Sequence, residues 1–508
     1  MNRGRFLMIL PAIASLAGCM VGPNYRAPEI TAPPQFAAAT QPSTTRPADT
    51  QPSTAPEPAV VDLERWWETF RDPMLNSLID QAVTANLDVR LAEARVREAR
   101  AQLEFNRAGL FPTLDSSASY TRSRSSKSAF PVAPTRTGSG GTGSTGGNSS
   151  PFSFNVGETN LYQAGFDAGW EIDVFGGTRR AIEAAQDTLE AQIDARRNAM
   201  VTLLAEVGRN YVTLRGLQNE LAVIRDNVTA QRDTLELTRS KFVAGIATDL
   251  DVARAEAQVT TTESEIPTLQ TEIQQAIHRL GVLLDRNPAA LEEELSPAAS
   301  LPVGPPAIPP GLPSELLRRR PDVRQAERQL AASTANIGVA KADLFPKFSL
   351  TSTLGLESLQ LKTFANSPSA FWSIGPSVTW RIFDFGQIWA NVHVQEARQE
   401  EARIQYRQAV LQALSDVEDA LVAYNQEQAR RQSLRQAVDA NRRAVDLAKQ
   451  LNTAGVVDFL NVLTAQLSLY QSQDQLAQSE QTVSTNLVAL YKALGGGWQT
   501  GEEQSAKQ

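Results

Sequence analysis

The chain has 508 residues, with 48 Lys and Arg against 56 Asp and Glu, which gives a formal net charge of −8. This acidic balance argues against nucleic acid as a partner. The single cysteine, Cys19, excludes a disulfide within one chain, and length alone suggests two to four domains.

The first residues have the pattern of a bacterial signal peptide. Arg3 and Arg5 precede an apolar run that ends in Leu16-Ala17-Gly18-Cys19, and the run is too short for an ordinary transmembrane helix. The last four residues resemble a lipobox, so residues 1–18 are predicted to be removed and Cys19 to be lipidated; the alternative is a lone buried thiol. The non-acidic Met20 favours the outer membrane, and the mature chain would keep 46 basic and 56 acidic residues, a charge of −10.

Residues 19–60 are predicted to be a lipidated N-terminus followed by a tether. Between Ala27 and Ala59 the chain is rich in Pro, Thr and Ala, with QPST at 41–44 and again at 51–54. Such a composition supplies too few apolar side chains to bury a core.

The remaining chain is one unit written twice. Motifs recur at an offset of 234 before and at the first strand, and at 210 after it, which places a 24-residue insertion in the first copy around GSGGTGSTGG at 138–147. The predicted domains are a first repeat at 61–284, a Pro-rich linker at 285–315, a second repeat at 316–495 and a tail at 496–508. The matched pairs are Asp88-Val89-Arg90 with Asp322-Val323-Arg324, Phe111-Pro112 with Phe345-Pro346, Trp170 with Trp380, Phe175-Gly176 with Phe385-Gly386, Ala244-Gly245 with Ala454-Gly455, and Leu250 with Leu460.

Each repeat contains a predicted strand hairpin, at about 112–175 and about 346–385. Apolar and polar residues alternate there, which a soluble sandwich would also show. Strand lengths of about ten residues and aromatic residues near the strand ends, including Trp170, Trp372 and Trp380, favour membrane strands.

Four strands cannot close a barrel in lipid. Both edges would leave N–H and C=O groups unpaired, so the chain must oligomerise. Two copies would give eight strands with a filled interior, and three would give twelve strands with room for a channel.

Each hairpin is followed by a proline-free segment, at 177–243 and 387–453, which predicts a helix of about 100 Å. Apolar residues in the first segment recur about every 3.5 positions, the spacing of a coiled coil. Turns at Ala244-Gly245 and Ala454-Gly455 lead into returning helices at 248–281 and 456–494. Pro267 is expected to kink or interrupt the first of these.

No constellation of catalytic or metal-binding residues is evident, so the sequence predicts neither an enzyme nor a cofactor. His278 and His393 lie in separate helical segments and are interpreted as helix-surface residues. The acidic run Glu292-Glu293-Glu294 is interpreted as solvated surface.

Four motifs in order resemble the OprM/NodT lipoprotein branch of the TolC-like outer-membrane efflux ducts: CMVGPNYRAP from Cys19, LLRRRPDVRQAE at 316–327, ADLFPKFSL at 342–350 and YKALGGGW at 491–498. The resemblance assigns Arg318-Arg319-Arg320 to structure. It implies a mainly α fold with a β-barrel portion: a homotrimer with a twelve-stranded outer-membrane barrel, a long periplasmic α-barrel and a mixed equatorial region.

The resemblance also implies partners and a gate. The partners are outer-membrane lipid, a periplasmic adaptor and an inner-membrane pump, expected to be of the resistance-nodulation-division type. The helix turns would be the closed gate and the adaptor-docking surface. This assigns Leu250, Asp251, Asp458, Leu460 and Thr464 to the gate, and Ala244, Gly245, Ala454 and Gly455 to adaptor contact.

Thr464 stands where close relatives often carry an aspartate of a gate ring. Asp249, Asp251 and Asp458 are candidates to replace it, the alternative being that they cap the returning helices. The predicted function is a passive outer-membrane duct of a tripartite efflux system that passes small toxic solutes. The alternatives are a duct for type I protein secretion and a non-conducting periplasmic lipoprotein scaffold.

Overall fold

The computed structural model describes residues 20–29, 33–37, 63–124, 158–304 and 313–499. The predicted signal peptide, Cys19, the glycine-rich stretch 138–147 and residues 500–508 lie outside the described residues. The elements in order are α1 Pro73–Ala85, α2 Leu87–Ala108, β1 Thr113–Arg124, β2 Glu158–Ile172, α3 Gly177–Val243, α4 Asp249–Leu283, α5 Glu292–Leu295, α6 Pro313–Arg319, α7 Pro321–Ala342, β3 Lys347–Ser358, β4 Ala370–Thr379, α8 Gln387–Thr453 and α9 Phe459–Ala493, with 3-10 turns at Trp66–Phe70, Pro288–Leu291, Leu361–Thr363 and Ser367–Ser369.

The chain divides into two compact units. The described residues of the sheet unit fall within Met1–Asn24, Gln102–Ala184 and Thr334–Glu396, and those of the helical unit fall within Tyr25–Ala101, Ala185–Ser333 and Ala397–Gln508.

The element bounds reproduce the sequence repeat. Helices α2 and α7 begin and end 234 residues apart, as do strands β1 and β3. The pairs α3 with α8 and α4 with α9 begin and end 210 residues apart. The change of offset lies between β1 and β2, as the sequence predicts.

The sheet unit contains a four-stranded antiparallel sheet in the order β1-β2-β3-β4. One row across it is Ser116, Phe166, Leu354 and Trp372, and the rows on the same face are rich in apolar side chains. A row on the other face is Asp115, Asp167, Thr353 and Ser373. The alternation seen in the sequence therefore becomes one apolar face and one polar face, and large apolar side chains such as Phe166 and Trp372 are exposed.

Strand β4 is shorter than predicted. It ends at Thr379, so Trp380 and Ile382, which the alternation assigned to the strand, lie beyond it. The last pair is Lys347 with Thr379, because Pro346 precedes Lys347 and has no N–H to continue the ladder.

The repeated Leu-Phe-Pro sequence marks the same helix-to-strand joint in both copies. Proline cannot continue the helix, and the carbonyls of the last turn are left without helical partners. An indole takes this role in each copy: Trp170 Nε1 donates to the Leu110 carbonyl at 2.9 Å, and Trp380 Nε1 to the Leu344 carbonyl at 3.1 Å. This explains why a tryptophan and Leu-Phe-Pro recur together.

The long helices α3 and α8 have 67 residues each, which corresponds to about 100 Å. The predicted 3.5-residue spacing is confirmed as a buried stripe. Among the described residues, no helix combines the length and apolar character needed to cross a membrane. The buried stripe of α3 comprises Met200, Leu203, Val207, Tyr211, Leu214, Leu217, Leu221, Ile224 and Val228.

Pro267 does not interrupt the first returning helix, and that alternative was wrong. Helix α4 is continuous from Asp249 to Leu283 with the proline inside it. Buried residues on both sides, including Val259, Leu269 and Ile273, hold the two segments against their neighbours. Tertiary packing therefore outweighs the missing hydrogen bond.

The prediction of a free tether does not hold for the described residues 20–29 and 33–37. Tyr25 donates its hydroxyl to Glu327 at 3.3 Å, and Phe36 is buried in the main core of the helical unit. One aromatic ring that finds an apolar cavity is enough to fix a chain whose average composition is polar.

That core is centred on aromatic residues from both ends of the chain. The rings of Trp66 and Tyr491 stack at 5.2 Å, and Trp67 packs edge-on against Trp66. Leucine and valine side chains of α3 and α9 surround them.

Each copy fastens the end of its returning helix in an equivalent place. In the first, buried Asn86 donates to the Leu283 carbonyl at 2.9 Å and accepts the Asp88 N–H. In the second, Arg320, 234 residues later, donates to the Ala493 carbonyl at 3.1 Å and pairs with Asp416 at 2.9 Å. The arginine of the RRRPD motif is thus structural, as the resemblance implies.

We expect Arg320→Met to destabilise the protein by about 3–5 kcal/mol, because Asp416 and Asp322 would lose a buried partner. The urea midpoint of purified protein in detergent measures the effect. Arg318→Met, at an exposed neighbouring position, is the control and should change the midpoint little. An equal, small effect of both substitutions would contradict the role assigned to Arg320.

Candidate functional site at the helix turns

The two turns that join the long helices to the returning helices have the same backbone design. Gly245 and Gly455 adopt φ values of +72° and +74°, and a Cβ atom at either position would meet nothing within 4 Å. The glycines are therefore needed for backbone conformation and not for space. The Ile246 N–H donates to the Lys241 carbonyl and the Val456 N–H to the Leu451 carbonyl, both at 2.9 Å, which is the Schellman pattern.

The aspartates that follow the turns differ in role. Asp251 forms a capping box with Thr248: its backbone N–H donates to the Thr248 hydroxyl, and its carboxylate accepts from the Thr248 N–H at 3.0 Å. Hydrogen bonds from the hydroxyl and backbone of Thr248 hold the pKa of Asp251 below its usual range. Asp458 occupies the N-cap position of α9, yet its side chain makes no cap hydrogen bond.

Capping therefore accounts for Asp251 and leaves the carboxylate of Asp458 without that role. Asp249 is the first residue of α4, and Thr248, not Asp249, is the N-cap.

The predicted gate leucines are exposed apolar residues. Leu250 and Leu460 lie in the first turns of α4 and α9, and neither is covered within the chain. The Thr464 hydroxyl donates to the Leu460 carbonyl at 2.8 Å, so it is satisfied by its own helix. Val243, Ile246 and Val456 in the turns are also exposed, which makes the helix ends apolar.

The structure joins the two turns through residues that the sequence did not single out. Lys241 Nζ donates to Asn452 Oδ1 at 2.9 Å, and Asn452 Nδ2 donates to the Val457 carbonyl at 3.1 Å. Their repeat positions are Leu451 and Phe242, so comparison of the two copies could not reveal them. Below this link, Phe459 and Leu463 pack against the buried cluster of Leu235, Ala255 and Val259.

A cluster of carboxylates lies along the same helices, farther from the turns. Gln478 Nε2 donates to Glu220 Oε1 on α3 and to Asp474 Oδ2 on α9, each at 3.1 Å. Burial, together with nearby Asp474 and Glu272, raises the pKa of Glu220 to about 7. Burial and Asp474 also raise the pKa of Glu265.

The two histidines are exposed on helices, in agreement with the sequence. His393 lies 3.3 Å from Glu396 in the next turn. Within the described ranges no group of three or more His, Cys, Asp or Glu residues could hold a metal ion.

A helical hairpin repeated twice, with a four-stranded sheet and apolar turns, defines a class of envelope channel. The family model of outer membrane efflux proteins matches residues 78–285 and 312–496. The chain belongs to this family, and it is the outer-membrane component of an efflux system.

Individual relatives match over nearly the whole chain. Nodulation protein T of Rhizobium leguminosarum bv. trifolii is 31% identical over 483 residues, 95% of each chain. The pyoverdine export outer membrane protein OpmQ of Pseudomonas aeruginosa is 32% identical over 447 residues, 88% of this chain and 90% of its own. The solved outer-membrane channel OprN is 35% identical with a TM-score of 0.83, covering 95% of this chain and 100% of that chain.

The carboxylate cluster predicts a pH dependence of stability. A carboxyl group whose pKa rises on folding binds more protons in the folded state, so the free energy of unfolding falls as the pH rises from about 4.5 to about 7. Glu220→Gln removes this loss and should raise the melting temperature at pH 8 more than at pH 5. The exposed Glu293→Gln is the control, and an identical pH dependence in wild type and Glu220→Gln would refute the assignment.

Proposed function

We propose that three copies of this chain form a passive duct through the outer membrane, with their twelve strands closing one barrel. The observation that supports this most directly is the sheet itself. It has an exposed apolar face, a polar face and two edge strands, β1 and β4, that no other strand of the described chain pairs with. In hydrocarbon each bare backbone group costs several kcal/mol, and pairing with neighbouring chains removes that cost.

The helical unit supports the same assembly. Val201 and Val212 of α3 are buried within the chain, whereas their repeat counterparts on α8, Leu411 and Val422, are 58% and 44% exposed. The first copy of this face is covered by the second copy. A neighbouring chain would cover the second copy in the same way.

The repeat also supplies a register for the contact between chains. Inside the chain β2 pairs with β3, for example Asp167 with Thr353. Adding 210 to a β2 residue number gives its β4 counterpart, and subtracting 234 from a β3 residue number gives its β1 counterpart. The equivalent contact between chains is Ser377 with Ser119 of the next chain.

An aromatic contact follows the same rule. Phe175 stacks on Phe345 within the chain at 4.6 Å. Their counterparts, Phe385 and Phe111, are both exposed, Phe385 by 93%. In the trimer Phe385 would stack on Phe111 of the next chain.

Disulfide trapping tests this register. We expect the double variant Ser377→Cys, Ser119→Cys to give covalent dimers and trimers on non-reducing gels after mild oxidation of outer membranes. The slipped pair Ser377→Cys, Ser117→Cys is the matched control and should remain largely monomeric on the gel. Efficient trapping of the slipped pair, or no trapping of either, would contradict the proposed closure.

Cys19 is the proposed lipid attachment site, as the lipobox-like sequence indicates. The protein is thus anchored in the outer membrane both by acyl chains and by the barrel. Metabolic labelling with a fatty acid, compared between wild type and Cys19→Ser, tests this assignment separately from the trimer.

The duct would work with a periplasmic adaptor and an inner-membrane pump of the resistance-nodulation-division type, and it would carry out no catalysis itself. Energy enters at the inner membrane, and small solutes pass down the water-filled path. The name of OpmQ, a pyoverdine export protein, supports small-molecule export.

Crosslinking in cells followed by mass spectrometry of the tagged protein tests the choice of partners. Recovery of an adaptor and a resistance-nodulation-division pump is expected. Recovery of an ABC exporter would instead support type I protein secretion, and recovery of neither would count against a tripartite assembly.

The helix turns are the proposed gate and adaptor-docking surface. Leu250, Leu460 and the side chains of Asp251, Asp458 and Thr464 lie at or just beyond the turns, and Ala244, Gly245, Ala454 and Gly455 form the turns. Exposed leucines at the end of a water-filled duct can constrict it, because an apolar ring excludes water and ions. The Lys241–Asn452 hydrogen bond would hold the two turns of each chain together in the closed state.

Conductance in planar bilayers measures the gate. We expect Leu460→Ser and Lys241→Met each to raise the basal conductance of the purified channel severalfold. Leu467→Ser, at a partly exposed position two helical turns farther along α9, is the control and should not. Unchanged conductance in both gate variants would remove these residues from the gate.

A further inference from the structure

Residues 20–24 lie on the sheet unit in a defined seat. The Val21 N–H donates to the Phe175 carbonyl at 3.2 Å. Arg180, near the start of α3, donates from Nε to the Val21 carbonyl at 3.1 Å, and from a terminal nitrogen to Asn24 Oδ1 at 2.7 Å and to the Gly22 carbonyl at 3.4 Å. The arginine is only 1% exposed, and Glu183 balances its charge at 2.7 Å.

Glycines make the close approach possible. Gly22 has a φ of +95°, and a Cβ there would lie 2.5 Å from the Gly338 Cα. Gly176 has a φ of +80°, and a Cβ there would lie 2.9 Å from the Met20 Cα. Backbone meets backbone on both sides of the segment, which larger residues would prevent.

The second repeat shows that the fold itself does not require this seat. The counterpart of Arg180 is Ala390, and the counterpart of Gly338 is Glu104. Gly386, the counterpart of Gly176, keeps a φ of +85°, but a Cβ atom there would meet nothing within 4 Å. The turn into the long helix thus forms in both copies, and only the first copy carries the arginine and the groove.

We propose that Arg180 is the positioning residue of an anchor seat, which fixes the backbone that follows Cys19 beside the junction of β2 and α3. This inference rests on the proposed lipidation of Cys19. A trans peptide bond keeps consecutive Cα atoms about 3.8 Å apart. The acyl chains would therefore enter the membrane next to the sheet of their own chain and not at the end of a long tether.

The energetics favour a seated segment. If residues 20–24 moved away, the guanidinium would lose its bonds to two carbonyls and to the Asn24 side chain while remaining in a largely buried site. A buried donor without a partner is costly, and hydrogen bonds from a charged donor are the stronger kind.

Hydrogen exchange with mass spectrometry of purified wild-type protein and Arg180 variants tests the seat. In the wild type, the peptide that spans residues 20–26 should exchange slowly. Arg180→Met should speed its exchange at least tenfold while α3 stays protected, and Arg180→Lys should restore part of the protection. The control is Arg179→Met, because Arg179 bonds Asp173 and not the segment.

A second variant separates the seat from the stability of α3. Gly22→Ala perturbs only the segment, because its Cβ would meet the Gly338 backbone; it should release residues 20–26 and leave α3 protected. Slow exchange of this peptide in both Arg180→Met and Gly22→Ala would overturn the proposal.

The position of the lipid needs its own measurement. Cells fed a photoactivatable fatty acid should yield crosslinks from wild-type protein to peptides of the sheet unit, and a broader distribution from Arg180→Met. Equal distributions would overturn the positioning role. Absence of label on Cys19 would refute lipidation alone, and the exchange experiment would still decide whether the seat exists.

Discussion

Unpaired backbone groups along β1 and β4 are the constraint on which the rest of the structure depends. The exposed apolar face of the sheet favours lipid, and lipid cannot hydrogen-bond the N–H and C=O groups of an edge strand. Pairing must therefore come from protein. The contact between β2 and β3 shows how one repeat satisfies the edge of the other, and the remaining two edges are its counterparts. Duplication of a hairpin and a helical pair thus created a chain that can satisfy itself once and must be satisfied by neighbours once more.

The two copies share their framework and differ at their ends. Asn86 and Arg320 show the shared part, since each fastens the last turn of its returning helix from an equivalent position with different chemistry. The turns show the difference: Asp251 is held by Thr248, whereas the Asp458 carboxylate makes no cap hydrogen bond. Lys241 and Asn452 connect the turns from positions that do not correspond in the repeat. A structure with two chemically distinct turns can respond at one turn while the other stays fixed, which a strict repeat could not do.

The sequence predicted the framework well, because a repeated apolar period fixes both the length and the buried face of an element. The long helices occupy the predicted spans 177–243 and 387–453, since glycines and the absence of proline mark them. Where prediction was wrong, a longer-range contact decided the outcome. Packing on both sides carries α4 through Pro267, and Pro346 on the neighbouring strand ends the pairing of β4 before Trp380.

The links within the site had no sequence signal of their own. The partners Lys241 and Asn452 are 211 residues apart, and comparison of the copies shows only leucine and phenylalanine at their counterparts. The same holds for Arg180, which bonds Val21 across 159 residues and so joins a motif near the N-terminus to a distant helix. A composition of proline, threonine and alanine predicts a tether, and it gives no weight to the single Phe36 that packs into the core.

The seat around Arg180 also bears on the symmetry of the assembly. Six nearly equivalent hairpins would surround the duct of a trimer, yet only the first hairpin of each chain has the arginine and the glycine groove, because Ala390 and Glu104 occupy the corresponding places in the second. A pseudo-sixfold ring would thus carry three anchors at alternating positions. Each anchor would lie at the joint where β2 passes into α3, inside one chain and away from the edges that must pair between chains. Acyl chains at those edges would compete with strand pairing for the same space, so a seat in the first copy alone keeps anchoring and barrel closure independent.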